Sequence, residues 1–365
     1  MRKILVFSVF FIFVYLILLF SGQFSNAVSS YKVIITFLLL SIVIILLGCE
    51  LFANSVECVG DKLELSHATS GSILAAVGTA LPETLLPALA LIFGEKSHGE
   101  LIAVGAILGA PFMLSTLAFF FLGATSLILW LFKKREGAVM KTNLVSLKTE
   151  LLFFIASMII IFIVSLVNHK TLNYISAFLL LAIYALFIKI SLNHSSEEGE
   201  EYTKHFHFSF IMKCPPTLTW LTIQTLIGLA LIVIGAHIFV NYITLLSIKS
   251  GISSLILSLL IAPVATELPE KFNSITWTIR NKDTLAISNV TGAMVFQSAI
   301  PVSVGLIFTD WRLGKTEMLN ILFPLSMAMI TYIIVKIKGR LPSWVLMCGG
   351  IFYLIYIFRI FQRRL

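Results

Sequence analysis

Ala265-Thr266-Glu267-Leu268-Pro269-Glu270-Lys271 sits deep inside an apolar stretch and restates an earlier heptapeptide, Gly78-Thr79-Ala80-Leu81-Pro82-Glu83-Thr84. Each copy sets a proline and a carboxylate where a membrane helix should tolerate neither. A carboxylate near the bilayer centre costs roughly 3 kcal/mol or more unless it is paired, hydrated or bound to a cation. Two of them at matching places predict a pair of ion ligands brought together by an internal duplication.

The apolar setting extends along the whole chain. Of 365 residues, 58% are hydrophobic and 12% charged, against about 25% charged in soluble domains. This composition predicts an all-α polytopic membrane protein. The net charge of +8 would suit nucleic acid, but Lys and Arg lie mostly in short loops between apolar spans. That placement orients membrane proteins, so a nucleic-acid partner is excluded. The cysteines, Cys49, Cys58, Cys214 and Cys348, are scattered without metal or disulfide spacing and read as small apolar fillers.

Spans long enough to cross a bilayer are predicted near 4–21, 31–58, 68–93, 100–132, 150–167, 172–191, 217–246, 253–280, 283–308, 317–336 and 342–360. The first resembles a signal peptide, with Arg2, Lys3 and a candidate cleavage site at Ser25-Asn26-Ala27. Its apolar run is longer than a usual signal core, and a retained helix is expected. The loop charges favour a cytoplasmic N-terminus, in a protein expected in the cell membrane. The expected organisation is an extra N-terminal helix and outer loop over 1–30, a first five-helix unit over 31–191, a charged cytoplasmic linker over 192–216 and a second five-helix unit over 217–365. His205 and His207 of the linker are expected to be solvated.

The two units align. With an offset of 187 residues, Gly48 meets Gly235, Phe52 meets Phe239, Asn54 meets Asn241, Thr79 meets Thr266, Pro82 meets Pro269 and Glu83 meets Glu270. Further on, Gly109-Ala110 meets Gly292-Ala293. Units of five spans each must lie in opposite orientations. Inverted repeats of this kind build transporters with a site near the midplane.

The residue types suit a cation. Pro82 lacks an amide hydrogen and frees the carbonyl of Gly78, while Pro269 frees that of Ala265. Thr79 and Glu83 are four apart, as are Thr266 and Glu270, so each pair shares a helix face. Each unit thus offers a carboxylate, a hydroxyl and a backbone oxygen. Divalent calcium takes six to eight such oxygens. Without a cation the opposed carboxylates repel, and one tends to hold a proton. Asn289, Thr291, Gln297 and Ser298 are further oxygen donors, each more often a helix–helix hydrogen bonder than a ligand; Gln297 is the best candidate. Pro111 is a candidate break in its helix.

These residues resemble the alpha-repeats of the sodium/calcium exchanger-like cation antiporter superfamily. The family pattern is roughly Gly-Thr-Ser-x-Pro-Glu in the second helix of each five-helix repeat. The resemblance implies two inverted repeats, alternating access, and Glu83 and Glu270 as central calcium ligands with Thr79 and Thr266 beside them. Calcium or another divalent ion is then the cargo, Na+ or H+ the counter-ion, with no resident cofactor and no required oligomer. Two departures matter. The family serine is Ala80 in one copy and Glu267 in the other. The family's Gly-Ser-Asn segment reads Gly109-Ala110-Pro111 and Gly292-Ala293-Met294. Missing sodium oxygens shift the expectation toward proton coupling.

Glu267 and Lys271, four apart, are expected to pair on one face. The pair is either structural, or functional with Lys271 as a resident cation or Glu267 as the carrier of the exchanged proton, and the structural role is favoured. Glu50 and His237 occupy equivalent places, either as proton relays or as hydrogen bonders at helix ends. The alternative from another class is a membrane-embedded lipid-pyrophosphate phosphatase-like enzyme with buried glutamates. Phosphate chemistry would want an arginine or lysine clamp beside the site; Arg280 lies in a loop and Lys271 is unmatched in the first copy, so the enzyme reading is disfavoured. A passive channel fits two tight-binding carboxylates poorly.

Overall fold

The computed structural model describes residues 30–62, 75–194, 206–208, 215, 217–315 and 317–362, so the expected span at 4–21 lies outside the described residues. The described residues form helices α1 (Tyr31–Lys62), α2 (Ala75–Phe93), α3 (Lys96–Met113), a π-helical turn (Leu114–Ala118), α4 (Phe119–Leu131), α5 (Leu144–Val167), α6 (Lys170–His194), α7 (Leu218–Ser250), α8 (Ser254–Ile279), α9 (Asp283–Phe308), α10 (Leu319–Lys338) and α11 (Ser343–Gln362). Two-residue strands, β1 (Val139–Met140) and β2 (Leu341–Pro342), pair antiparallel, with Met140 opposite Leu341. Among the described residues eight helical stretches are long and apolar enough to cross a membrane, and Glu83–Phe93 and Ser254–Leu268 are shorter apolar stretches. The positions match ten of the eleven expected spans.

Local chemistry sets the boundaries. Asn143 caps α5 by accepting from the amides of Val145 (3.0 Å) and Ser146 (3.2 Å). Asn168 closes the same helix in the left-handed region (φ 49°), and Gly251 does so for α7 (φ 67°). Pro111 does not break its helix. The chain continues through a π turn, and the Ser115 hydroxyl donates to the Pro111 carbonyl at 2.7 Å. Thus α3, the π turn and α4 form one continuous helical stretch, with Ser97–Leu131 long and apolar enough to cross a membrane.

The chain divides into two compact units, Met1–Gly105 with Leu192–Thr266, and Ala106–Ser191 with Glu267–Leu365. Each draws residues from both halves of the sequence. The divisions fall inside α3, α6 and α8.

In the first unit, α1 and α7 pack along most of their length, and α2 packs on both. The pair runs antiparallel. The Tyr31 hydroxyl donates to the Lys249 carbonyl at 3.0 Å, Phe37 stacks on Tyr242 at 4.8 Å, and Thr225 donates to Ser55 at 2.9 Å. The 187-residue offset exchanges these helices' contacts: Gly235 lies against Ile45, and Gly48 against Ile232. Each contact is the image of the other, the relation produced by a two-fold axis between the helices.

The described linker residues are not merely solvated. Phe206 and Phe208 are buried with Leu51 and Leu221. The His207 ring stands 2.9 Å from a Glu50 carboxylate oxygen, so the expected solvation of His207 is corrected; His205 lies outside the described residues. Buried Gln224 donates to the Leu51 carbonyl (2.9 Å) and to Asn54 (3.0 Å), and accepts from the Phe208 amide (3.1 Å).

In the second unit, α5 packs on α9 and α10, and α11 packs on α4. Trp311 is fully buried and its indole donates to Ser165 at 2.9 Å. Arg135 pairs with Asp283 at the start of α9, and Asp283 also accepts from the Lys141 amide at 2.7 Å. Burial pulls the Arg135 guanidinium below its ordinary range. Apolar side chains such as Ile163, Phe178, Ile337, Leu354 and Phe358 are exposed. Exposed apolar faces of this kind suit lipid rather than water.

Candidate cation site

Helix α2 runs on through Pro82 and carries Glu83 into the first unit, where its side chain is 6% exposed. The period of the surrounding helix explains this: Leu86 and Ala90, three and seven residues on, are also buried. Gly78 and Thr79 lie on the same helix one turn earlier; their side chains lie outside the described residues. Helix α8 likewise runs on through Pro269. Thr266 is buried on it. The side chains of Ala265 and Glu270 lie outside the described residues.

Within the second unit the structure brings together Glu267, Lys271, Gln297 and Met113. The Lys271 ammonium stands 3.0 Å from a Glu267 carboxylate oxygen and 3.5 Å from the Met113 sulfur. Gln297 of α9 is a neighbour of the same carboxylate. Glu267 is fully buried and Lys271 only 8% exposed. The pairing expected from their spacing is present.

The other oxygen candidates are engaged elsewhere. Ser298 donates to the Val295 carbonyl of its own helix, and Asn289 donates to Ser274 at 2.9 Å. Thr291 donates to Glu150, a buried carboxylate of α5 that also accepts from Ser146 at 2.9 Å. Glu150 was missed because it stands at the start of a predicted span, where a surface carboxylate is ordinary. Its spacing carried the signal: Leu147, Leu151, Phe154, Met158 and Ile161 form the buried stripe of α5, and Glu150 lies on it. In the first unit, His237 bonds Asn241 at 3.2 Å and meets the Phe93 ring edge-on, while Glu50 lies against His207.

Hard oxygen donors from duplicated helices, buried in an apolar bundle, form the chemistry of a cation carrier. A family model described as sodium/calcium exchanger protein matches residues 33–193 and 220–362, leaving out the linker. The chain belongs to the sodium/calcium exchanger family. This exchanger is therefore an integral membrane antiporter and not an enzyme; the phosphatase alternative is set aside. It is similar to an uncharacterized membrane protein of Methanocaldococcus jannaschii, at 22% identity over 90% of this chain and 97% of that one. Among solved structures it resembles the H+/Ca2+ exchanger CAX, with a TM-score of 0.69 and 16% identity over 90% of this chain and 82% of that one. It also resembles the sodium-calcium exchanger NCX_Mj, with a TM-score of 0.55 and 19% identity over 90% and 99% of the two chains. These likenesses establish the helical exchanger fold.

Proposed function

We propose that this exchanger moves Ca2+ against H+ or Na+ by alternating access, with Glu83 and Glu270 as the central ligands. The observation that carries this reading is the burial of Glu83 inside an apolar helix, at the proline-flanked position that Glu270 repeats. A membrane carboxylate so placed calls for a cation or a proton. Thr79 and Thr266 supply hydroxyls, Gly78 and Ala265 supply carbonyls released by proline, and Gln297 is a further oxygen donor. Two carboxylates match the charge of one divalent ion or of two monovalent ions, which is the basis of exchange. The exchange of contacts between α1 and α7 under the 187-residue offset supports inverted repeats.

Proton coupling is favoured over sodium coupling. The family serine of the motif is Ala80 in one copy and, in the other, Glu267, whose carboxylate is taken up by Lys271. The N-terminus is placed in the cytoplasm of a cell-membrane protein that needs no resident cofactor and no second copy. The deciding experiment is calcium uptake into proteoliposomes of the purified protein under separately imposed pH and sodium gradients. Uptake driven by pH alone is expected, and Glu83→Gln or Glu270→Gln should abolish it. Undiminished flux in either variant would remove that residue from the site, and sodium-dependent uptake at collapsed pH would reverse the choice of counter-ion.

A further inference from the structure

The second copy of the motif holds an ion pair that the first copy lacks. At the positions of Glu267 and Lys271 the first copy has Ala80 and Thr84. The pair is a poor structural brace. Both members lie on α8, four residues apart, so their contact joins no second helix. An intrahelical pair of this kind stabilises a helix only slightly, whereas removing two charges from water costs far more than that contact returns. The further neighbours are Gln297 and a weakly accepting thioether, Met113. Threonine and alanine, as in the first copy, would fill this part of the helix without any such cost.

The placement gives the pair a different meaning. Lys271 follows Glu270 directly and puts a fixed positive charge on the turn that bears it. Its ammonium occupies the cation-binding side of Glu267 at 3.0 Å, the place a monovalent ion would otherwise take.

We propose that Lys271 is a tethered cation: it takes the place of one transported monovalent ion against Glu267 and so makes the exchange electroneutral. This rests on the calcium-exchange reading above. The motif copies hold three carboxylates, Glu83, Glu267 and Glu270. Lys271 cancels Glu267 throughout the cycle, because it is covalently held and never released. The remaining charge of two carboxylates is balanced by one calcium ion in one direction and two monovalent cations in the other. Net charge moved per cycle is then zero.

The test uses the purified full-length exchanger in proteoliposomes with the membrane potential set by potassium and valinomycin. Calcium exchange is driven by a pH gradient alone in one arm and a sodium gradient alone in another, which identifies the monovalent ion. Wild-type exchange should be indifferent to the imposed potential. Lys271→Gln exposes Glu267 to a further monovalent ion, so its exchange should become potential-driven with one more monovalent ion per calcium. Glu267→Gln leaves Lys271 uncompensated and should shift the ratio by one in the opposite sense. Lys271→Arg keeps the charge and should keep the indifference. Wild-type exchange that follows the potential would overturn the proposal, as would an unchanged ratio in Lys271→Gln or in Glu267→Gln. The wild-type arm requires no variant, so misfolding of one leaves the test standing. Glu270→Gln, run in parallel, scores the calcium-exchange reading separately: activity in that variant defeats that reading and says nothing of the charge ratio.

Discussion

Gly48 of α1 lies so close to Ile232 of α7 that a Cβ on the glycine would stand 2.8 Å from the isoleucine amide nitrogen and equally near the Gly228 carbonyl. The equivalent contact, Gly235 against Ile45, is softer: its nearest atom, at 2.7 Å, is a side-chain carbon, and backbone begins at 3.1 Å. Glycine at these places allows two membrane helices to approach closely. Gly48→Ala must therefore push backbone from backbone and is expected to cost about 1–3 kcal/mol, the range for overpacking. Gly235→Ala should cost less, because the Ile45 side chain can turn aside. Thermal unfolding of the detergent-solubilised variants checks the order; equal stability for the two would show that the helices separate freely.

Gln224 ties the linker to the same helix pair. Its amide serves Leu51, Asn54 and the Phe208 backbone at once, in a fully buried position. Gln224→Leu leaves the Phe208 amide and the Leu51 carbonyl without that partner, and an unmet buried polar group costs roughly 1–3 kcal/mol. The linker near Phe206–Phe208 should come loose before the helices do. Limited proteolysis of the purified protein should cut the 192–216 region faster in the variant, and an unchanged cleavage rate would count against the role given to Gln224.

Asp283 should prove the most sensitive polar residue of the second unit. It is buried, pairs with Arg135 and accepts from the Lys141 amide. Asp283→Asn leaves the guanidinium buried and uncompensated, a loss of about 3–5 kcal/mol. A double Asp283→Asn, Arg135→Gln variant should recover part of it. Denaturation midpoints of the three proteins give the coupling directly, and purely additive losses would argue that the two side chains act independently.

Thr266 tests the finer composition of the cation site. Thr266→Val keeps the volume and removes the hydroxyl. If that oxygen serves the cargo, apparent calcium affinity should fall roughly fivefold, the weight of about 1 kcal/mol, with protein stability nearly unchanged. Calcium dependence of uptake rates reads this out, and an unaltered dependence would place the hydroxyl outside the site.

The helices and the motif were legible in advance. Apolar runs near the bilayer length appear at ten of the expected places, because a backbone in lipid must bond within its own segment. The i, i+4 spacing predicted the Glu267–Lys271 contact for a similar reason: helix geometry alone brings those side chains together. Pro111 misled, since a membrane helix can accommodate a proline by a local adjustment, and here the chain runs on into a π turn. Glu150 was hidden because a carboxylate at a span boundary looks the same whether it faces water or Thr291. His207 was read as solvated because its partner, Glu50, lies far away along the chain.

The duplicated Thr-x-Leu-Pro-Glu and the apolar periodicity by themselves determined that this is a helical membrane protein whose halves repeat a proline-flanked carboxylate. Those are local properties, since hydropathy, covalent geometry and helix pitch act over a few residues. Only the tertiary structure decided which oxygens are already engaged, that Lys271 also reaches Met113, and that Phe208 is held by Gln224. Each of these depends on residues far apart in sequence, whose meeting is set by how helices pack.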